Sequence, residues 1–91
     1  MPAESSITAT ICRNLKARGI WHMKIAGGPM QRTGIPDLLA VIDGRAVFLE
    51  VKRPGNKATK LQLHRIAELR GAGATAEVVT NWNEALEALN L

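Results

Sequence analysis

Apolar residues recur at Ile7, Ile11 and Leu15, one every four positions, and this stripe predicts a helix over residues 6–18. Ser5 or Ser6 is positioned to cap its start, and Gly19 to end it. Residues 21–25 read as a short strand. Residues 26–36, AGGPMQRTGIP, hold three glycines and two prolines and read as a loop. Two β-rich runs follow, 37–42 and 45–52, separated by Asp43-Gly44, the preferred centre of a two-residue type I′ turn. Pro54, Gly55 and Asn56 break the second run. Thr59-Lys60-Leu61-Gln62 has capping-box spacing and opens a helix over 59–70 that Gly71 and Gly73 terminate. A strand over 76–79 and a helix over 82–89 complete the order α-β-β-β-α-β-α.

Composition narrows the class. At 91 residues and 46% hydrophobic, the chain is expected to be one globular domain, residues 1–91, with a small core. No apolar run reaches the roughly 20 residues of a membrane span, and the polar first ten residues do not resemble a signal peptide. One cysteine, Cys12, excludes a disulfide framework within the chain and a cysteine-based zinc site. A cytoplasmic protein with no membrane partner is expected. Net charge is +4, and all 12 Lys and Arg lie between Arg13 and Arg70. The chain beyond Gly71 holds acids only, Glu77, Glu84 and Glu87. Basic charge confined to the body of the fold suits a polyanion such as DNA.

The turn at Asp43-Gly44 fixes a register in which Ile42 faces Arg45 and Asp37 faces Glu50. Facing residues share one side of a sheet with Cβ atoms about 4.5–5.5 Å apart, so two carboxylates meet there and need a neutralising partner. A hard divalent cation is one. Lys52, two residues beyond Glu50, falls on the same side, and Val51 on the other. Two carboxylates and an amine on one patch are the set required for metal-assisted phosphodiester hydrolysis. Each part alone has an ordinary structural role: a Glu–Lys pair along a strand, or an Asp closing a turn after proline. Apolar runs on both strands suggest that both faces of the hairpin are covered, leaving Asp37 and Glu50 at the edge of a core.

These residues resemble a known family. Gly34-Ile35-Pro36-Asp37-Leu38-Leu39, then Phe48-Leu49-Glu50-Val51-Lys52-Arg53-Pro54-Gly55-Asn56-Lys57, then Leu61-Gln62, is similar to the VRR-NUC branch of the PD-(D/E)XK nucleases, in its minimal stand-alone phage and prophage form. The resemblance implies a restriction-endonuclease-like α/β core, a mixed central sheet flanked by helices. It implies that Asp37 and Glu50 are metal-binding carboxylates, that the Val51 carbonyl is a metal ligand, that Lys52 is the catalytic lysine and that Gln62 lies near the site. The implied cofactor is Mg²⁺ or Mn²⁺, and the implied activity is cleavage of branched DNA, as by a Holliday junction resolvase. The first helix departs from the superfamily pattern, because Thr8 stands where a carboxylate is usual. Glu4, one turn earlier, either reaches the metal shell through water or is a charge favoured by the helix dipole.

Lys24, Arg32, Arg53, Lys57 and Lys60 flank these positions and are candidate phosphate contacts, each with an ordinary role as solvated surface charge. His22 and His64 lack metal-ligand spacing. Trp21 and Trp82 read as core or interface residues, and Cys12 as packing. A single site suggests a homodimer for cutting two strands, with Ile7, Ile11, Leu15 and the Trp21 segment as contributors to the interface. A module that keeps the nuclease fold and binds DNA without cutting is the alternative.

Overall fold

The computed structural model describes residues 3–25 and 33–91. Its elements are α1 (Glu4–Ala17), β1 (Trp21–Lys24), β2 (Leu38–Ile42), β3 (Arg45–Val51), α2 (Lys60–Gly71), β4 (Thr75–Val79) and α3 (Trp82–Leu89), in the order read from the sequence. The boundaries differ in instructive places. α1 starts two residues early, from Ala3, with no side-chain cap, so Ser5 and Ser6 lie inside the helix and Glu4 is the acid in its first turn. Gly19, at φ +70, ends α1 as its Gly19 and Ile20 amides bond back to Lys16 and Leu15. Gly71 belongs to α2. Termination falls to Gly73 alone, at φ +98, where the same pair of bonds forms from Gly73 and Ala74 to Arg70 and Leu69.

The four strands form one mixed sheet in the order β1-β2-β3-β4. The first three are antiparallel neighbours, and β4 pairs parallel with β3 after the α2 crossover. Asp43 (φ +50) and Gly44 (φ +75) are both left-handed, as a type I′ turn requires. The register follows: Ile42 with Arg45 through Leu38 with Leu49.

Alternation along the strands sorts the two faces. Leu38, Ala40, Val47, Leu49, Val51 and Val79 point to one side and are buried under α1 and α3 by Ile7, Ile11, Leu15, Ala85 and Leu89. Arg45 closes this layer by donating from Nη2 to the Leu89 carbonyl at the end of α3 (2.9 Å). The other side is covered only in part. α2 packs on β4 there with Ile66 buried, while Trp21, Met23 and Val41 stay exposed. Both faces of the hairpin were expected to be covered, and the second is not, because one helix of 12 residues spans only half of a four-stranded sheet. The stripe Ile7–Ile11–Leu15 is spent on the chain's own core and does not serve as an interface. No helix among the described residues is long and apolar enough to cross a membrane.

The segment entering β2 is docked on α2. Arg65 donates from Nε to the Thr33 carbonyl (3.1 Å), and Pro36 is fully buried. Gly34 sits at φ +86, where an added Cβ would lie 2.8 Å from Leu61 Cγ and 3.3 Å from the Leu61 backbone. A side chain here meets both a left-handed backbone and an occupied space. Gly34→Ala is therefore expected to cost at least about 2 kcal/mol in urea unfolding; wild-type stability would contradict this docking.

Candidate active site

Asp37 lies one residue before β2 and is tied on both sides. Its carbonyl accepts from the Ile25 amide (2.8 Å), and its carboxylate Oδ2 accepts from the Val51 amide (2.8 Å). The β2–β3 ladder stops at Leu38–Leu49, and the Asp37 side chain takes the place of the next backbone rung. This fixes the carboxylate across the end of β3, beside Glu50. Glu50 is 2% exposed and is the one charged residue of the buried set. Lys52 Nζ lies 3.8 Å from Glu50 Oε2, with its side chain 14% exposed.

Burial drives the Glu50 carboxyl up from its ordinary value to about 8. The Asp37 charge and a hydrogen bond to the Asp37 carboxylate add to the rise, Lys52 offsets part of it, and Glu4 contributes a smaller repulsion. At neutral pH the Glu50 carboxyl is therefore mostly protonated. Glu50 Oε1 is buried without a hydrogen-bond partner among the described residues. Such an orphaned acceptor is costly unless something meets it. Paired carboxylate oxygens, one of them unmet, suit a hard divalent ion. Among the described residues no group of three or more His, Cys, Asp or Glu side chains gathers into a metal-ligating cluster, so Asp37 and Glu50 form the whole carboxylate set.

The remaining candidates divide by position. Val51 is fully buried in the core, and its amide is held by Asp37. Glu4 and Thr8 line a cleft of about 360 Å³ together with Lys24 and Asp37. Glu4 therefore borders the site without closing a three-carboxylate cluster, and Thr8 Oγ1 is bonded to the Glu4 carbonyl (2.9 Å). Gln62 Oε1 accepts from the Thr59 amide (2.9 Å) and its backbone amide donates to Thr59 Oγ1 (3.1 Å), which completes the capping box. Lys24, Arg53, Lys57 and Lys60 are exposed at this end of the sheet. None of the four forms an ion pair among the described residues, whereas Arg65 and Arg70 are paired with Glu68 and Glu77. Arg32 lies outside the described residues. Trp82 packs on the core beneath Arg18, but Trp21 does not join it. Gly34, Pro36 and Arg65 hold the Asp37 segment; the sequence marked Gly34 and Pro36 only as part of the motif around Asp37, and Arg65 not at all.

The mixed sheet, with α1 and α3 on one face and α2 on the other, carries the Asp37/Glu50-Val51-Lys52 fork at one end of β3. No family model matches the chain, and no curated protein matches it. Solved structures do. One described as a VRR_NUC domain superposes with a TM-score of 0.80 at 26% identity, covering 96% of this chain and 94% of that one. A second, a VRR_NUC domain protein, gives 0.74 at 20% identity over 98% and 86%. Hjc from Archaeoglobus fulgidus, a Holliday junction resolvase, shares the fold with a TM-score of 0.65 at 20% identity over 85% and 67%. The chain thus has the fold of the VRR_NUC domain structures, over nearly its whole length.

The site's electrostatics set a pH dependence. Because folding raises the Glu50 pKa, the native state holds a proton that the unfolded state releases, so metal-free stability falls as pH rises from about 4.5 to about 8. Glu50→Gln lacks that slope and should exceed wild type by about 1–3 kcal/mol at pH 8, with the gap narrowing toward pH 5. A pH-independent gap in denaturant unfolding would contradict the assignment. Separately, Asp37→Ala orphans the Val51 amide whereas Asp37→Asn retains an acceptor. The alanine variant should be the less stable by about 1–2 kcal/mol, and equal midpoints would show that the bond is not needed.

Proposed function

We propose that this chain is a cytoplasmic, Mg²⁺- or Mn²⁺-dependent endonuclease that hydrolyses phosphodiester bonds in branched DNA, working as a homodimer. The observation that carries the reading is the Asp37–Glu50 pair, forced together at a buried strand end with one carboxylate oxygen unmet and Lys52 beside it. Asp37, Glu50 and the Val51 carbonyl would hold the ion. When bound, it supplies Lewis-acid polarisation of a phosphoryl oxygen and a more acidic water.

The chain's own groups do the rest. Lys52 is held beside Glu50 and donates to the attacking water or to a non-bridging oxygen as negative charge develops. Gln62 stands at the first turn of α2, where its capping box leaves the side-chain NH₂ to support the site. Lys24, Arg53, Lys57 and Lys60 present unpaired positive charge for backbone phosphates, with Arg32 as a further candidate. The archaeal neighbour's description as a Holliday junction resolvase supports a branched substrate.

Cleavage of labelled single-stranded, duplex, flap and four-way junction DNA tests the reading. With Mn²⁺ or Mg²⁺ the junction is expected to be cut, and Asp37→Asn or Glu50→Gln should lower the rate at least about 100-fold with folding intact. Lys52→Ala should lose at least about 100-fold in rate yet keep Mn²⁺ binding by calorimetry, since an ammonium is not a ligand. Wild-type rates in either carboxylate variant would show the site to be misassigned. The lack of a third carboxylate among the described residues favours one other reading, a DNA-binding module without activity; tight junction binding with no cleavage in either metal would select it.

A further inference from the structure

Charge is divided along this chain: beyond Gly71 there are three acids and no Lys or Arg. A role on DNA uses the basic part and leaves the acidic part without a purpose. The acidic part lies beside β4, the outer strand of the sheet on the side away from β1.

The backbone of β4 is only partly spent. The Lys52 amide donates to the Val79 carbonyl across the β3–β4 ladder (3.0 Å). Successive residues of a strand turn their N–H and C=O groups to opposite sides, so Thr75, Glu77 and Val79 face β3 while Ala76, Val78 and Thr80 face outward. Side chains already meet two of the outward groups. The Ala76 carbonyl accepts from Arg70 Nε (2.9 Å), and the Thr80 amide donates to Glu84 Oε1 (2.6 Å). Between these two plugs the N–H and C=O of Val78 have no partner among the described residues. One donor and one acceptor are what a single residue of an added antiparallel strand takes up.

The surroundings of Val78 select the strand. Opposed residues share a side of the sheet. A residue facing Val78 would sit beside it on the α2 side, and its two neighbours would fall on the α3 side, level with Glu77 and Val79. A groove of about 350 Å³ runs on that side, lined by Glu77, Val79, Glu84, Glu87 and Ala88. Glu77 is paired with Arg70 (2.9 Å). Glu84 and Glu87, three residues apart on α3, form no ion pair among the described residues. Such a groove repels DNA and favours a cationic occupant. A second copy fits poorly, because its own β4 would bring the same acids against these.

We propose that this edge takes an extended basic segment of a partner protein by strand addition. One residue of the segment pairs with Val78 through two backbone hydrogen bonds. The residues on either side of it are Lys or Arg and enter the groove at Glu84 and Glu87. The plugs at Ala76 and Thr80 confine the contact to three residues, so the recognised pattern is basic–apolar–basic. None of the groups proposed for cleavage takes part, and loss of either activity leaves the other standing.

The probe is an acetylated, amidated peptide with Arg-Val-Arg at its centre and Gly-Ser flanks, titrated into the full chain. Hydrogen exchange of the Val78 amide, read by NMR, should slow at least about fivefold, while the Val79 amide, which faces β3, should not change. Methylating the central nitrogen of the peptide removes its donor and should weaken binding at least about tenfold. A Glu-Val-Glu peptide should not bind at about 1 mM, and Glu87→Lys, folded by circular dichroism, should bind Arg-Val-Arg at least about tenfold more weakly. Equal affinity for the methylated peptide would show that charge alone holds it and would overturn the strand pairing. Binding of Glu-Val-Glu, undiminished binding by Glu87→Lys, or no binding of Arg-Val-Arg at about 1 mM would overturn the surface. Val78 protection that grows with protein concentration in the absence of peptide would give the edge to a second copy and overturn it as well.

Discussion

Two carboxylates held face to face at a buried strand end are the constraint on which this molecule is built. Charge repulsion and burial both oppose the arrangement, and nothing in the core requires it. It persists because the backbone overrides it. The Val51 amide holds Asp37, the Asp43-Gly44 turn sets the register, and the core beneath Leu49 and Val51 fixes the end of β3. In the absence of a cation the conflict is relieved by a proton on Glu50.

The rest of the architecture follows from keeping that fork rigid. α1 and α3 give the sheet one deep face, and β3 is anchored at that face by Val47, Leu49 and Val51. α2 does two jobs with its first turns. Its capping box fixes where the chain re-enters the fold after Lys52, and Leu61 and Arg65 clamp the Thr33–Gly34 segment that delivers Asp37. The two halves of the site thus come from distant stretches of sequence but are braced by one helix. The same economy leaves a flank uncovered, since α2 cannot brace the site over β3 and β4 and also cover β1 and β2.

Local signals made much of this legible in the sequence. Asp43-Gly44 dictated the turn, the turn dictated the register, and the register placed Asp37 opposite Glu50 with Lys52 alongside. Thr59 and Gln62 announced the start of α2. What stayed hidden was tertiary. The period-four stripe on α1 shows that Ile7, Ile11 and Leu15 are buried, but not whether by this chain or by another. Apolar residues on both sides of the hairpin cannot say how many helices remain to cover them, so the exposure of Trp21, Met23 and Val41 emerges only once α2 is placed over β4. Thr8 and Glu4 line the cleft beside Asp37, yet spacing along one helix could not reveal that no third carboxylate among the described residues joins the pair. The role of Gly34 depends on Leu61, 27 residues away, and is invisible until both are in place.

The claim that Asp37 and Glu50 are kept in conflict for the sake of a cation is tested most directly by thermal unfolding with and without Mn²⁺ at pH 7. The account predicts that Mn²⁺ raises the midpoint of the wild-type chain and that the rise disappears in both Asp37→Asn and Glu50→Gln. An equal rise in all three proteins, or none in the wild type across millimolar metal, would contradict it.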